Sequence, residues 1–307
     1  MSDLPARISL REVGPRDGLQ NEAPVSTAAK VELVDALSQT GVRRIETVSF
    51  VSPRAIPQMA DADDVWASIA RAPDVTYSAL VPNLRGAVRA VDAGCRAIEI
   101  VVSASDTHNR ANVNRSTAES LDDIARVISL AHEHDAACHV TVATAWGCPY
   151  EGDVPVRRVV SVASRAVADG ADGLSFGDTT GMATPTRVTE LIGAMRMAAP
   201  DVALNLHFHN TRGTALANVL AALQLGVADF DASVGGLGGC PYAPGASGNL
   251  ATEELVAMVE DMGVATGIDL EALIEVAAQA ERIVGRELPS QVLRAGPRTR
   301  RSAYEPN

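Results

Sequence analysis

The chain has 307 residues, nearly half of them apolar, which is enough to bury one large core. A formal net charge of −12 argues against a nucleic-acid partner, which needs a basic surface, but not against a small anionic ligand met by local Arg or Lys. No apolar run reaches the roughly 18 residues of a membrane span, so no membrane partner is expected. The four cysteines, Cys95, Cys138, Cys148 and Cys240, lack CxxC spacing and suit a reducing compartment. With no signal peptide or peroxisomal address legible at either end, a cytoplasmic location is expected.

Apolar, β-branched segments alternate with helical-period segments along the chain. Strands are expected at 8–13, 44–50, 75–81, 97–103, 137–144, 173–176, 204–209 and 230–234. Helices are expected between them at 27–39, 61–70, 84–93, 117–133, 155–168, 185–198 and 214–225, then at 253–262 and 270–284. Gly41, Gly94, Gly170 and Gly226 read as C-caps, and Ser26, Ser116 and Thr184 as N-caps, with Pro185 at a first helical position. Eight strands separated by helices imply a parallel sheet closed as a (β/α)8 TIM barrel, with an additional C-terminal helix. A doubly wound open sheet is the rival, but no Gly-x-Gly-x-x-Gly turn follows the first strand. Residues 1–290 are read as a single catalytic domain, and the basic segment 291–307 as a disordered tail.

In such barrels the active site lies at the C-terminal ends of the strands. Arg16 and Asp17 follow the first strand, Glu46 lies in the second, Asp178 follows the sixth, and His207 and His209 end the seventh. Cys240 and Asn249 lie in the loop after the eighth. On a strand, residues i and i+2 share a face, so both imidazoles of His207-Phe208-His209 can turn to one ion. His132 and His134 sit near a helix end, where i and i+2 diverge by roughly 200°, and are read as bystanders. Asp17 and Asn249 add oxygen ligands at the same rim, and a shell of two imidazoles and two oxygens favours Mg²⁺ or Mn²⁺. The Gly-rich stretch 235–249 reads equally as a flexible connector or as a lid carrying Cys240 as a proton carrier.

Glu12–Glu22 (EVGPRDGLQNE), Ile45–Gln58 (IETVSFVSPRAIPQ), Gly147–Gly152 (GCPYEG), Gly177–Thr179 and Gly235–Glu254 (GGLGGCPYAPGASGNLATEE) resemble the 3-hydroxy-3-methylglutaryl-CoA lyase family of metal-dependent barrel lyases, related to isopropylmalate synthase. The resemblance runs from about Ile8 to Val284. It implies a divalent metal on Asp17, His207, His209 and Asn249, and an acyl-CoA substrate cleaved to acetyl-CoA and acetoacetate. It implies Arg16, Cys240, Glu46 and Asp178 in catalysis, Arg16 and Gln20 in substrate binding, and a homodimer. Two departures bear on the substrate. The family's His-x-His-Asp-Thr-Tyr-Gly reads His207-Phe208-His209-Asn210-Thr211-Arg212-Gly213, and Ala23 stands where a lysine is common. Arg212 is therefore a further substrate-binding candidate, for a carboxylate or a CoA phosphate, and equally an exposed structural residue. A lyase for citramalyl-CoA or a longer branched 3-hydroxyglutaryl-CoA is the first alternative. A Claisen-type synthase ranks below it, since such synthases commonly carry a long C-terminal extension. Asn109-Arg110 and Asn114-Arg115 are candidates for the CoA phosphates.

Overall fold

The structure is a computed structural model, which describes residues 4–239 and 248–301. Its eight parallel strands close into a barrel in chain order: β1 (Ser9–Glu12), β2 (Arg44–Ser49), β3 (Thr76–Val81), β4 (Ala97–Ser103), β5 (Ala137–Ala143), β6 (Gly173–Gly177), β7 (Leu204–His207) and β8 (Asp229–Ala232). Around them run α1 (Thr27–Ser38), α2 (Ala62–Ser68), α3 (Leu84–Asp92), α4 (Asp106–Val113), α5 (Thr117–Glu133), α6 (Val156–Ala168), α7 (Pro185–Ala198) and α8 (Ala215–Gln224). Three further helices, α9 (Thr252–Asp261), α10 (Leu270–Val284) and α11 (Gln291–Ala295), follow the barrel. No helix among the described residues is long and apolar enough to cross a membrane.

Local signals explain these boundaries. Ser26 accepts from the Ala29 N–H at the start of α1, and Ser116 forms a reciprocal capping box with Glu119 at the start of α5. Thr184 sits at the N-cap of α7 without a side-chain bond, and Pro185 takes the first helical position. Gly41, Gly94, Gly170 and Gly226 all adopt positive φ just beyond their helices.

The apolar core lies between sheet and helices, where Ile98, Ile100 and Val102 of β4, Val140 and Val142 of β5, and Phe176, Leu206 and Phe230 are almost wholly buried. Many of the alternate residues, which face the lumen, are polar or charged. Arg11, Glu46, Ser78, Glu99, Ser175 and Asp231 are all buried. Barrels of this type ordinarily fill that space with Val, Ile and Leu; here it holds a charged layer beneath the mouth.

The tail differs from the expected disorder. Through residue 301 it is folded: Ser290 caps α11 by accepting from the Leu293 N–H, and the Gln291 N–H donates to Glu254. Arg294 pairs with Glu281, Arg298 with Asp261 and Arg300 with Glu271. The basic run thus finds acidic partners on α9 and α10, which its composition alone could not reveal.

Candidate active site

The first rim segment is a single π-helical turn, Gly14–Gly18, directly after β1. The N–H groups of Arg16, Asp17 and Gly18 all converge on the Val13 carbonyl at 3.2, 2.7 and 3.2 Å. This widened geometry is frequent at functional sites, and here it directs Arg16 to β2 and Asp17 to the loop after β8. A buried carboxylate braces it from behind. Glu12 accepts from the Gly14 and Val234 N–H groups at 2.7 and 2.9 Å, and from the Thr252 hydroxyl at 2.6 Å. A Cβ on Gly14 would lie 2.7 Å from the Glu12 oxygen, so only glycine allows this approach. Burial pushes the Glu12 carboxyl up to about 7 despite those three bonds.

Asp17, His207 and His209 then meet, with one ligand atom from each lying within 4.8 Å of the others. β7 stops at His207, and His209 is held two residues later by a bridge to Asn249. The imidazole centroids are 5.1 Å apart. Asn249 donates through Nδ2 to Asp17 Oδ2 at 2.8 Å and to the Leu237 carbonyl at 3.1 Å. A Cβ at Gly238, where φ is +120°, would sit 2.9 Å from that Nδ2, so the glycine lets the loop close over Asn249. Asn249 Oδ1 and His209 Nδ1 are buried without a hydrogen-bond partner among the described residues. Unpaired buried acceptors are costly, and such atoms beside a carboxylate and a second imidazole fit a divalent cation. Burial alone would raise Asp17, but Arg16, both histidines and Asn249 together hold its carboxyl below the ordinary range. Burial, aided by His207, drives His209 down to about 3, leaving a neutral imidazole.

Around the cluster, the Arg16 guanidinium donates to Asp17 Oδ1 and to Glu46 Oε2, each at 2.6 Å, and its buried Nε is unpartnered among the described residues. Gln20 donates to Asp17 Oδ1 at 2.9 Å. A register shift in the β2–β3 pairing falls just past Glu46, the kind of irregularity that re-aims a side chain at a barrel rim. Asp178 accepts from the Met182 and Ala183 N–H groups at 2.7 and 3.0 Å through Oδ1, while its buried Oδ2 has no partner among the described residues. Burial raises its carboxyl to about 6.

The substituted positions acquire definite places. Asn210 Oδ1 accepts from the Ala215 N–H at the start of α8, and its own N–H donates to the Gly248 carbonyl. Arg212 is exposed and donates through Nη1 to the Thr180 and Gly181 carbonyls at 2.7 and 2.9 Å, clipping the loop that carries Asp178. Cys240 lies outside the described residues. Of the phosphate candidates, Asn109 is buried and ties together Ser103, Arg115, Ser116 and Ser120, so it belongs to the scaffold. Arg110 and Arg115 pair with Asp106 and Asp123. His132 pairs with Asp172, outside the mouth.

Below the cluster lies a network that sequence reasoning missed. Arg11 grips Asp231 with two bonds of 2.9 and 2.8 Å and pairs with Glu99, which lies 3.4 Å from His139. The available signal was a charge at a period-two position inside an otherwise apolar strand, as in Ala97-Ile98-Glu99-Ile100-Val101 and Asp229-Phe230-Asp231-Ala232.

Comparison with known proteins agrees with this architecture. The profile of the family described as HMGL-like matches residues 7–279. A hydroxymethylglutaryl-CoA lyase of Bacillus subtilis is 46% identical over 290 residues, covering 94% of this chain and 97% of its own. An (R)-citramalyl-CoA lyase of Chloroflexus aurantiacus is 44% identical over 301 residues, covering 94% and 95%. A solved structure of an HMG-CoA lyase from Acinetobacter baumannii, in complex with coenzyme A and 3-methylmalate, superposes with a TM-score of 0.93 at 43% identity, covering 99% of this chain and 100% of that one. A ligand cluster at the barrel mouth and likeness over nearly the whole length lead to one conclusion: the chain belongs to the hydroxymethylglutaryl-CoA lyase (HMGL-like) family of carbon–carbon lyases.

Proposed function

We propose that the protein cleaves 3-hydroxy-3-methylglutaryl-CoA to acetyl-CoA and acetoacetate with Mg²⁺ or Mn²⁺ held by Asp17, His207, His209 and Asn249. The observation that carries this reading is the ligand cluster with Asn249 Oδ1, unpartnered among the described residues, set beside the largely buried Arg16. When bound, the ion supplies Lewis acidity toward the substrate's C3 hydroxyl. Asp178 takes the hydroxyl proton on its open Oδ2. The electron pair left on that oxygen forms the C=O bond of the ketone, C2–C3 breaks, and its electron pair passes to C2 as the thioester enolate. Arg16, oriented by Glu46, meets the charge that develops on the thioester oxygen. Cys240 returns a proton to C2, while Gln20 keeps Asp17 in place and touches the acyl group. A homodimer belongs to the same reading, supported by the family resemblance, and so does a cytoplasmic location, supported by cysteines that suit a reducing compartment.

A second substrate has specific support. The citramalyl-CoA lyase relative is about as similar as the hydroxymethylglutaryl-CoA lyases, and Asn210 and Arg212 depart from the family's usual run. Purified protein with Mg²⁺ or Mn²⁺ is therefore to be offered both thioesters, with acetyl-CoA release as the readout for the first and acetyl-CoA plus pyruvate for the second. Faster acetyl-CoA release from 3-hydroxy-3-methylglutaryl-CoA is expected. Exclusive turnover of citramalyl-CoA would replace the substrate while leaving the site assignments standing.

A further inference from the structure

We infer that Asp231 is a positioning residue for the metal site, fixing the tautomer and ring orientation of His207 through a carboxylate–imidazole contact that Arg11 and Asn205 hold rigid. The inference rests on the metal reading above and deepens it.

The barrel register itself builds this contact. Asp231 of β8 is paired with Arg11 of β1 on one side and with His207 of β7 on the other. Register partners in adjacent strands present side chains on the same face, so all three reach the lumen at one level. Asp231 Oδ1 accepts from Arg11 Nε at 2.9 Å and from Asn205 Nδ2 at 2.8 Å. Its Oδ2 accepts from Arg11 Nη2 at 2.8 Å and lies 3.3 Å from His207 Nδ1. Asn205 is anchored in turn on the Ser175 hydroxyl at 3.0 Å. Asp231 is 4% exposed, so water does not compete for these bonds.

Three fixed donors leave Oδ2 one direction in which to accept further. An ionised carboxylate has no proton to give, so His207 Nδ1 must carry the hydrogen. That leaves the lone pair on Nε2, free for a cation shared with Asp17 and His209. A ligating histidine held this way by an outer carboxylate is pre-oriented and more basic, and losing the partner typically weakens metal binding by roughly 10–100-fold. The two histidines of the strand are then unlike. His207 is oriented from below by a charged partner, whereas His209 is placed by its backbone bridge to Asn249 and its Nδ1 has no hydrogen-bond partner among the described residues.

The test uses Mn²⁺ itself on the full chain, by titration of free ion with electron paramagnetic resonance. Wild-type protein is expected to bind one Mn²⁺ at the cluster. Asp231→Asn is expected to bind it roughly 10–100-fold more weakly, and the same substitution in a His207→Ala background is expected to add no further loss. Equal Mn²⁺ affinity of folded Asp231→Asn and wild type would overturn the inference, as would a full additional loss in the His207→Ala background. Should Asp231→Asn not fold, the ring ¹⁵N shifts of the Mg²⁺-loaded wild type decide. His207 with its hydrogen on Nδ1 supports the inference, and a hydrogen on Nε2 sinks it. Failure of the metal reading looks different, because wild type would then bind no Mn²⁺ at all.

Discussion

Arg16 shows how much depends on one planar side chain. Its fork donates to Asp17 and to Glu46 from adjacent nitrogens, so a metal-ligand candidate on one element and a buried carboxylate on another are tied through a single guanidinium. Burial would lower its affinity for the proton, but Glu46 and Asp17 more than compensate and keep it charged. Lysine conserves that charge but offers a compact ammonium that cannot span both oxygens in the same geometry. Arg16→Lys is therefore expected to lower kcat by about 10²–10³-fold, the cost typical of removing one preorganised donor to a developing oxyanion. Mn²⁺ affinity should change much less, because the substitution deletes no metal ligand. Steady-state kinetics of acetyl-CoA release beside a Mn²⁺ titration separates the two effects. Unchanged turnover would remove Arg16 from the chemistry.

At the scale of elements, the π-turn, the loop after β8 and α9 are joined through Glu12. A buried carboxyl raised from 4.5 to about 7 has the sign opposite to a salt-bridged one. Between those values the folded state holds a proton that the unfolded chain has released, so this group's contribution to stability falls as pH rises from about 4.5 to 7. It stays lost above that range, a penalty on the order of 3 kcal/mol. Glu12→Gln preserves the acceptor for the Gly14 and Val234 N–H groups without the charge. Its melting temperature relative to wild type is expected to climb from pH 4.5 to 7 and then level off. A constant difference across that range would mean that Glu12 does not titrate there. The same elements show what the sequence made legible. Helix α5 starts and ends where expected because a capping box and a strong apolar period speak locally. Helix α4, Asp-Thr-His-Asn-Arg-Ala-Asn-Val, has no apolar face to read and is specified by tertiary bonds from Asn109 and the Ser105 cap. The π-turn has no periodic signature, yet Arg16 and Asp17 were findable because the rim rule needs only the end of β1. The Arg11–Asp231 grip, spanning 220 residues, follows from ring closure and was not legible before β1 met β8.

Taken as a whole, the molecule keeps its apolar core outside the sheet and concentrates charge inside it. In the lumen and at its mouth, the guanidiniums of Arg11 and Arg16 face the carboxylates of Asp17, Glu46, Glu99 and Asp231. With these six groups ionised and Asp178 set apart, the negative ones exceed the positive by two charges, in a region largely shielded from water. A bound dication balances that excess, and without one the balance falls to protons; Asp231 and Asp17 outweigh burial to raise the pKa of His207. Three consequences follow for metal removal. Activity should vanish after exhaustive chelation and return with Mg²⁺ or Mn²⁺. The barrel should survive, since the Arg11–Asp231–Asn205 bonds and the outer apolar layer involve no metal ligand, and far-UV circular dichroism should be nearly unchanged. Stability should nonetheless respond by mass action. An ion at 100 times its Kd adds about 2.7 kcal/mol, which for a chain of this size raises the melting temperature by several degrees. Calorimetry of chelated and Mn²⁺-loaded protein measures that shift. Retained turnover in protein verified to be metal-free, with no Mn²⁺-dependent shift in melting, would dismiss the cation and leave the lumen's charge excess to be balanced by protons alone.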